Sequence, residues 1–249
     1  MSEIPLIPLT IFFTGARGRI GKHLLTALRE RYREVRTFDL DDVPDDPLAT
    51  TGDLTDFAAL QEAMKGADVL VHFAAQADEA PFIEKLVPSN VIGVYNAFEA
   101  AAQSGTVKRI IFASTVQAIG AYPREHTIEN TDPPRPTSLY GATKILGEAM
   151  GRWYFDHRAI EFVGIRIGWY QDYDSQMLRT NRGARSIWLS PKDCASLVLR
   201  AIEKENVGYA IVFGTSLTSR ERLSLKPARE LLDWEPGDNV ADIELLDEK

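Results

Sequence analysis

The sequence predicts an α/β fold, a doubly wound parallel sheet. Two observations predict it. Short apolar runs rich in β-formers alternate with segments of helical period along nearly the whole chain, the order that puts helices on both faces of a parallel sheet. The first of these runs, Leu9 to Phe13, also leads through a glycine-rich turn directly into a helix.

That turn is Thr14-Gly15-Ala16-Arg17-Gly18-Arg19-Ile20-Gly21. Gly15 suits the tight turn, Gly18 a close approach of backbone to a pyrophosphate, and Gly21 close packing of helix on strand. The helix that follows places Ile20, Leu24, Ala27 and Leu28 on one face. Its N-terminus, with free N–H groups and the positive end of the dipole, favours an anion. A second strand, Val35 to Phe38, ends at Asp39. A carboxylate about 20 residues after the glycine turn accepts hydrogen bonds from ribose hydroxyls and repels a 2′-phosphate, which favours NAD over NADP. Arg17, Arg19 and Arg36 leave the opposite open, since a guanidinium could hold that phosphate. The acidic loop Asp41 to Pro47 reads as solvated.

A third short strand ends at Gly52-Asp53-Leu54, and Thr55 or Asp56 caps the next helix, striped by Leu60, Ala63 and Met64. Asp53 is either a turn residue or, with Leu54, a neighbour of an adenine. The fourth strand, Asp68 to Phe73, ends in small residues, Ala74-Ala75, as suits a backbone passing close to a ligand. His72 reads as a packed strand residue. Pro88 inside the following helix predicts a kink or break near Val87. Asn90 just beyond either bonds exposed backbone or lines the site.

The fifth strand, Val107 to Ala113, delivers Ser114-Thr115 to the sheet edge where open α/β sheets bind ligands. A proline-rich loop, Gly120 to Pro136, leads to Ser138, which caps a helix reaching Asp156. That helix carries Tyr140-Gly-Ala-Thr-Lys144. Residues four apart share a helix face. An ammonium fixed beside a phenol lowers the phenol's pKa from about 10 and makes it a usable base. Ile160 to Ile167 is a sixth strand, and Ser190-Pro191 opens a further helix. Tyr209 to Phe213 is the last strand and Leu225 to Leu232 a short helix. Residues 168–187 show no period but hold Trp169, Tyr170, Tyr173, Gln176, Arg179, Arg182 and Arg185, where substrate contacts are expected. The last dozen residues read as acidic and frayed.

The 249 residues are enough for one large domain or two small ones. A net charge of −8 argues against broad nucleic-acid or anionic-membrane binding. Cys194 is the only cysteine, so no intrachain disulfide forms, and it reads as a small buried hydrophobe. No apolar run approaches the roughly 20 residues that cross a bilayer, so no membrane association is expected. The opening residues lack a basic stretch and prolines interrupt their apolar run, so a cytoplasmic protein is expected. The four histidines make no zinc spacing, and no metal is expected.

With Thr14-Gly15-x-x-Gly18-x-x-Gly21, Asp39, Asp53-Leu54, Ala74-Ala75, Ser114-Thr115 and Tyr140-x-x-x-Lys144 in order, the chain resembles the extended short-chain dehydrogenase/reductases, the NAD-dependent epimerase/dehydratase superfamily. Within it the chain looks most like uronate dehydrogenases and a haloarchaeal NAD-dependent glucose-6-phosphate dehydrogenase. The likeness runs through Ile111-Phe-Ala-Ser-Thr, Ala118-Ile-Gly-Ala-Tyr, Arg135-Pro-Thr-Ser-Leu-Tyr-Gly-Ala-Thr-Lys, Val163-Gly-Ile-Arg-Ile-Gly and Ile187-Trp-Leu-Ser-Pro-Lys-Asp-Cys.

The resemblance implies one Rossmann-type domain over residues 1–249, with 168–189 and 214–249 forming a small substrate-binding portion. It implies NAD as cofactor, held by Gly15, Gly18, Arg19, Ile20, Gly21, Asp39, Leu40, Asp53, Leu54, Ala74, Ala75, Asn90, Lys144 and Ile167. Tyr140 becomes the general base, Lys144 its partner and ribose ligand, and Thr115 the hydroxyl on the reacting oxygen, where the family usually has Ser. Substrate contacts fall to Thr115, Gln117, Tyr140 and Gln176. Two departures stand out. Gln176 occupies the place of an arginine that pairs with the sugar carboxylate, and Ala77 that of a serine that contacts the sugar. Arg179, Arg182 or Arg185 could substitute for the arginine. The implied reaction is NAD-dependent oxidation of the anomeric C1 hydroxyl of a cyclic sugar or sugar acid (a uronate or sugar phosphate) to a lactone. The alternatives are a nucleotide-sugar epimerase or dehydratase, or a catalytically silent cofactor-sensing protein. Pairing of the Ser89–Gln103 and Ser138–Asp156 helices across a two-fold would make a homodimer, as in many such relatives.

Overall fold

A computed structural model describes residues 5–43 and 46–245. The opening residues of the expected N-terminal stretch, two residues of the acidic loop and the last four residues lie outside that range. Seven strands form one sheet: β1 (Ile7–Thr14), β2 (Tyr32–Asp39), β3 (Ala49–Thr51), β4 (Val69–His72), β5 (Arg109–Thr115), β6 (Glu161–Ile167) and β9 (Tyr209–Gly214). Their order is β3-β2-β1-β4-β5-β6-β9. Every pairing in the sheet is parallel. Winding starts at β1, runs outward to β3, then returns to β4 on the other side of β1. That reversal leaves a crevice above the carboxyl ends of β1 and β4.

Period-two alternation sends the strand side chains to two cores. Ile11, Phe13, Val69, Val71, Ile111, Val163 and Ile165 face one side, against Leu24 and Leu28 of α1 (Arg19–Arg31) and Leu197 and Ala201 of α7 (Pro191–Glu203). Phe12, Leu70, Ile110, Phe112 and Phe162 face the other, against Leu60 of α2 (Phe57–Ala63), Phe98 of α3 (Gly93–Ser104) and Tyr154 of α4 (Leu139–Arg158). Phe98 is the hub of that second core. Its ring meets Phe112 at 5.6 Å, Phe162 at 5.8 Å and Tyr154 at 5.9 Å, each edge-on, an arrangement aromatic quadrupoles prefer.

Helix α4 sits unusually close to the sheet. A Cβ at Gly147 would lie 2.4 Å from the Phe112 ring, and one at Gly151 2.2 Å from Phe162. A side chain at either position would have to displace a buried phenylalanine ring.

Three sequence expectations need correction. Of the kink or break expected near Val87, the break does not occur. Residues Phe82–Ile92 wind in widened π-type turns that run into α3, and Gly93 N–H donates to the Pro88 carbonyl five residues back. Wider turns leave room for the proline ring and dispense with its missing donor. The segment 168–189 is not irregular. It holds a small parallel pair, β7 (Trp169–Tyr170) and β8 (Trp188–Leu189), and two short helices, α5 (Gln176–Thr180) and α6 (Arg182–Arg185). The described C-terminal residues are not frayed. Beyond α8 (Lys226–Leu232), Val240 and Ile243 pack into a third apolar cluster with Leu178, Ala184 and Trp188. The buried Asp193 carboxylate holds that tail by accepting from Gly237 N (2.8 Å), Asp238 N (3.1 Å) and Ser216 Oγ (2.6 Å).

Ser190 caps α7 and Ser138 caps α4, each accepting from the backbone N–H three residues on, at 3.0 and 2.9 Å. Cys194 is buried. Among the described residues no helix is long and apolar enough to cross a membrane.

Candidate active site

The crevice above β1 and β4 holds two joined chambers of about 550 and about 190 Å³. Gly15, Gly18, Phe73 and Ala75 line both. The glycine turn is therefore the waist between them.

Gly15 has φ +87°, a left-handed conformation that costs a side chain. A Cβ there would lie 2.5 Å from Ala74 N, and one at Gly21 only 2.0 Å from the Gly15 carbonyl. The backbone of the turn is thus pressed against both the β4 loop and its own helix. Gly18 differs: an added Cβ meets only the Gly15 carbonyl, at 3.2 Å. Gly18 precedes α1, whose first turn has no side-chain cap and no acidic residue. Its free N–H groups and dipole leave a bare anion cradle lined by Gly18, Arg19, Ile20 and Gly21.

In the smaller chamber Asp39 ends β2. Its carboxylate accepts from Arg17 N at 2.9 Å and Leu40 N at 2.8 Å, which fixes it as an acceptor for hydroxyls. Leu40, Gly52, Asp53, Leu54, Ala74 and Ala75 complete the lining. Asp53 does both things open to it: it lines the chamber, and its carboxylate accepts from Thr55 N (2.8 Å) and Oγ1 (2.9 Å). Arg36 is turned elsewhere, bound to Glu34 at 2.5 Å and the Lys65 carbonyl at 2.6 Å. The chamber accordingly presents carboxylate and no guanidinium, a fit for an unphosphorylated ribose. Cradle, waist and carboxylate together fit a dinucleotide.

The larger chamber gathers Thr115, Gln117, Tyr140, Lys144 and Ile167 with Gly168, Trp169, Tyr170 and Ile187. The β5–β6 register brings Thr115 beside Ile167, so both strand ends reach the chamber. Thr115 Oγ1 accepts from Gln117 N at 3.2 Å. The Ser138 hydroxyl that caps α4 donates to Gln117 Oε1 at 2.6 Å, and Gln117 Nε2 donates to Asp78 Oδ1 at 3.3 Å. Capping the tyrosine helix and orienting the Gln117 amide are therefore one device.

Tyr140 is half-buried and Lys144 is 1% exposed. Lys144 Nζ lies 5.7 Å from the Tyr140 ring centre and 4.9 Å from that of Phe112. Among the described residues no carboxylate pairs with it. Burial pulls its pKa down to about 7. Tyr140 moves the opposite way: burial first, then the Asp78 charge, pushes the phenol well above its ordinary 10. The expected lowering of the phenol pKa does not hold for the protein alone, because burial disfavours the phenolate and the Asp78 charge adds to that.

Two expected site residues stand outside the cleft lining. Asn90 is fully buried. Its amide accepts from Gln76 N (2.9 Å), donates to Gln76 O (2.9 Å) and reaches Thr143 Oγ1 (3.3 Å), so it ties the β4 loop to α4. Gln176 is exposed on α5, away from the lining. From the expected substrate portion only 168–187 supplies lining residues, and the described part of 214–245 buttresses from behind. His72 is packed as expected, 2.8 Å from Thr14 Oγ1 and pushed down to about 3 by burial. Asp78 is a lining residue that the motifs did not single out; an acidic residue four places after two alanines carries no distinguishing signal.

Comparison with known proteins agrees with this geometry. The chain is 38% identical over 210 residues to the uronate dehydrogenase of Pseudomonas syringae pv. tomato, covering 83% of this chain and 74% of that one. It is 33% identical over 253 residues to the NAD-dependent glucose-6-phosphate dehydrogenase of Haloferax volcanii, covering 93% and 94%. Its fold superposes on a mutant of Agrobacterium tumefaciens uronate dehydrogenase complexed with NAD with a TM-score of 0.86, at 28% identity, covering 97% of this chain and 92% of that one. The sequence profile described as the NAD dependent epimerase/dehydratase family matches residues 11–169, and with the glycine cradle, the Asp39 chamber and the Tyr140–Lys144 helix in place, the chain belongs to that family.

Proposed function

We propose that this protein is an NAD-dependent sugar dehydrogenase that oxidises the anomeric C1 hydroxyl of a cyclic sugar to a lactone. The observation that carries this is the continuity of the two chambers. Gly18 to Gly21 would hold the phosphates of a dinucleotide and Asp39 its ribose, and the shared waist would let it reach the chamber lined by Thr115, Tyr140 and Lys144. The related dehydrogenases act on uronates and glucose 6-phosphate, which supports a sugar as substrate.

NAD, when bound, supplies the hydride acceptor. The chain's own residues do the rest. Tyr140, as phenolate, takes the proton of the C1 hydroxyl. The O–H electron pair becomes the second C–O bond as C1 gives up its hydride. Thr115 Oγ1 donates to the oxygen on which charge develops. Lys144 lies one turn below Tyr140 and, on recovering its proton, favours the phenolate. Trp169, Tyr170 and Ile187 line the chamber beside these groups.

The direct test is a panel of aldoses, uronic acids and sugar phosphates with NAD, followed by NADH absorbance. Stoichiometric NADH is the expected result. A substrate converted with no net NADH would instead mark an epimerase.

A homodimer is part of the same proposal. Ile92, Tyr95, Leu139, Leu146 and Trp153 leave large apolar groups exposed on the π-type segment, α3 and α4. Pairing these helices across a two-fold would cover them. Sedimentation at twice the chain mass is expected, and a single-chain mass at micromolar concentration would refute it.

A further inference from the structure

The larger chamber places an acidic group, and no arginine of the 168–187 segment, where a sugar would sit in front of Tyr140. Its lining carries two cations, Arg19 and Lys144. Arg19 opens α1 on the anion cradle, 5.9 Å from the Tyr170 ring. Lys144 is 1% exposed beneath Tyr140. Lys144 is buried, and Arg19, though exposed, stands on the cradle where the phosphates of a dinucleotide would engage it. The arginines of the 168–187 segment, which sequence reasoning offered for a carboxylate or phosphate, stay outside the lining. Arg185 is committed to the Leu178 carbonyl (2.8 Å) and the Val240 carbonyl (2.6 Å). Arg179 has its Nε buried without a partner, also away from the chamber.

The one anion in that lining is Asp78, on the loop after β4. Its backbone has φ +58°, the left-handed region that Asp and Asn enter more readily than other side chains. Its carboxylate is exposed to the chamber and steered by Gln117 Nε2 at 3.3 Å. Gln117 is itself held by Ser138 at the cap of the tyrosine helix. The acidic group is thus positioned by the same hydrogen-bonded chain that positions Tyr140.

We infer that Asp78 makes this cleft selective for an uncharged aldose, accepting hydrogen bonds from sugar hydroxyls and repelling the carboxylate of a uronate or the phosphate of a sugar phosphate. This rests on the sugar-dehydrogenase assignment above and narrows it. A carboxylate accepts two hydroxyls in charge-assisted bonds, a good match for neighbouring hydroxyls of a pyranose. Against an anionic substrate the same group is a repulsive element, and discrimination is the difference between the two.

The test compares kcat/KM for glucose, galactose, xylose and arabinose with that for glucuronate, galacturonate and glucose 6-phosphate. The wild type is expected to favour the neutral sugars by roughly ten-fold or more. Asp78→Asn keeps the left-handed backbone preference while removing the charge, and is expected to erase most of that ratio, lowering kcat/KM for the neutral sugars and raising it for the anions. Arg179→Ala is expected to leave the ratio unchanged. A wild-type preference for a uronate or sugar phosphate overturns the inference while leaving the dehydrogenase assignment standing. So does an Asp78→Asn enzyme with an unaltered ratio, or loss of uronate turnover in Arg179→Ala. NAD binding with no turnover of any of these sugars would remove both.

Discussion

The Lys144 amine stands 5.7 Å from the centre of the Tyr140 ring, and both groups are held in surroundings that disfavour their charged forms. Spacing alone predicts an ammonium fixed beside the phenol that lowers its pKa. Here the free protein holds a protonated phenol and an amine poised near neutrality. The pair becomes a base only when something in the cleft restores the ammonium or the pH rises.

Turnover is therefore expected to climb with pH into the alkaline range, since the base works deprotonated and the protein raises its pKa. Tyr140→Phe should keep NAD affinity, measured by quenching of tryptophan fluorescence, and lose about 10²- to 10⁴-fold in kcat, the range assigned to a positioned acid–base group. Its residual rate should lack the alkaline rise. Unchanged kcat would remove Tyr140 from the chemistry.

Lys144 also has a signature in stability. In the unfolded chain its amine titrates near 10.5, in the fold near 7. Between those values the unfolded state binds the extra proton, so stability rises with pH across that window and is flat below it. Lys144→Met has no such proton to lose. The wild-type stability minus that of Lys144→Met should grow by a few kcal/mol from pH 7 to 10, read from urea melts of both proteins. A difference that stays constant would mean the amine keeps its charge inside the fold.

Much of this site was legible because the relevant signals are local. Gly15, Gly18 and Gly21 sit between a strand and a helix, and Ser138 and Ser190 announce their helices by position alone. What escaped depends on distant partners. Asn90 owes its role to the Gln76 backbone 14 residues away and to Thr143. Elements β7, α5, α6 and β8 are two to five residues long, too short for a period to register. They exist because Leu178 and Trp188 are buried against Val240 and Ile243. Asp78 looks like any loop acid until the fold faces it toward Tyr140. The sense of the Tyr140 shift was also beyond spacing, since four residues give proximity but say nothing of burial.

Gly21 and Gly18 of the turn should separate by experiment. Gly21→Ala forces a Cβ to 2.0 Å from a carbonyl on fixed backbone, so roughly 1–3 kcal/mol of stability should go together with NAD binding. Gly18→Ala meets only one contact at 3.2 Å and has φ −65° available to alanine. It should melt near the wild-type temperature yet bind NAD more weakly, because its methyl stands where phosphate oxygens approach. Equal loss of stability in both variants would contradict this division.

Beneath the site Glu148 and Arg166 form a buried bidentate pair, Nε to Oε1 at 2.9 Å and Nη2 to Oε2 at 2.8 Å, while Ser114 donates to Oε1 at 2.5 Å. Glu148 is one turn beyond Lys144 on α4, so the pair pins that turn to β6. Each charge is affordable only because the other is present. Glu148→Gln strands a guanidinium whose Nη1 already lacks a partner, and should cost about 3–5 kcal/mol. Glu148→Met with Arg166→Met removes both charges and should recover a large part of that loss, giving a strongly non-additive cycle in urea melts. Because the double variant keeps the apolar volume but loses the pin, its kcat should fall more than its KM changes. Additive single losses would show that the two side chains are not working as a pair.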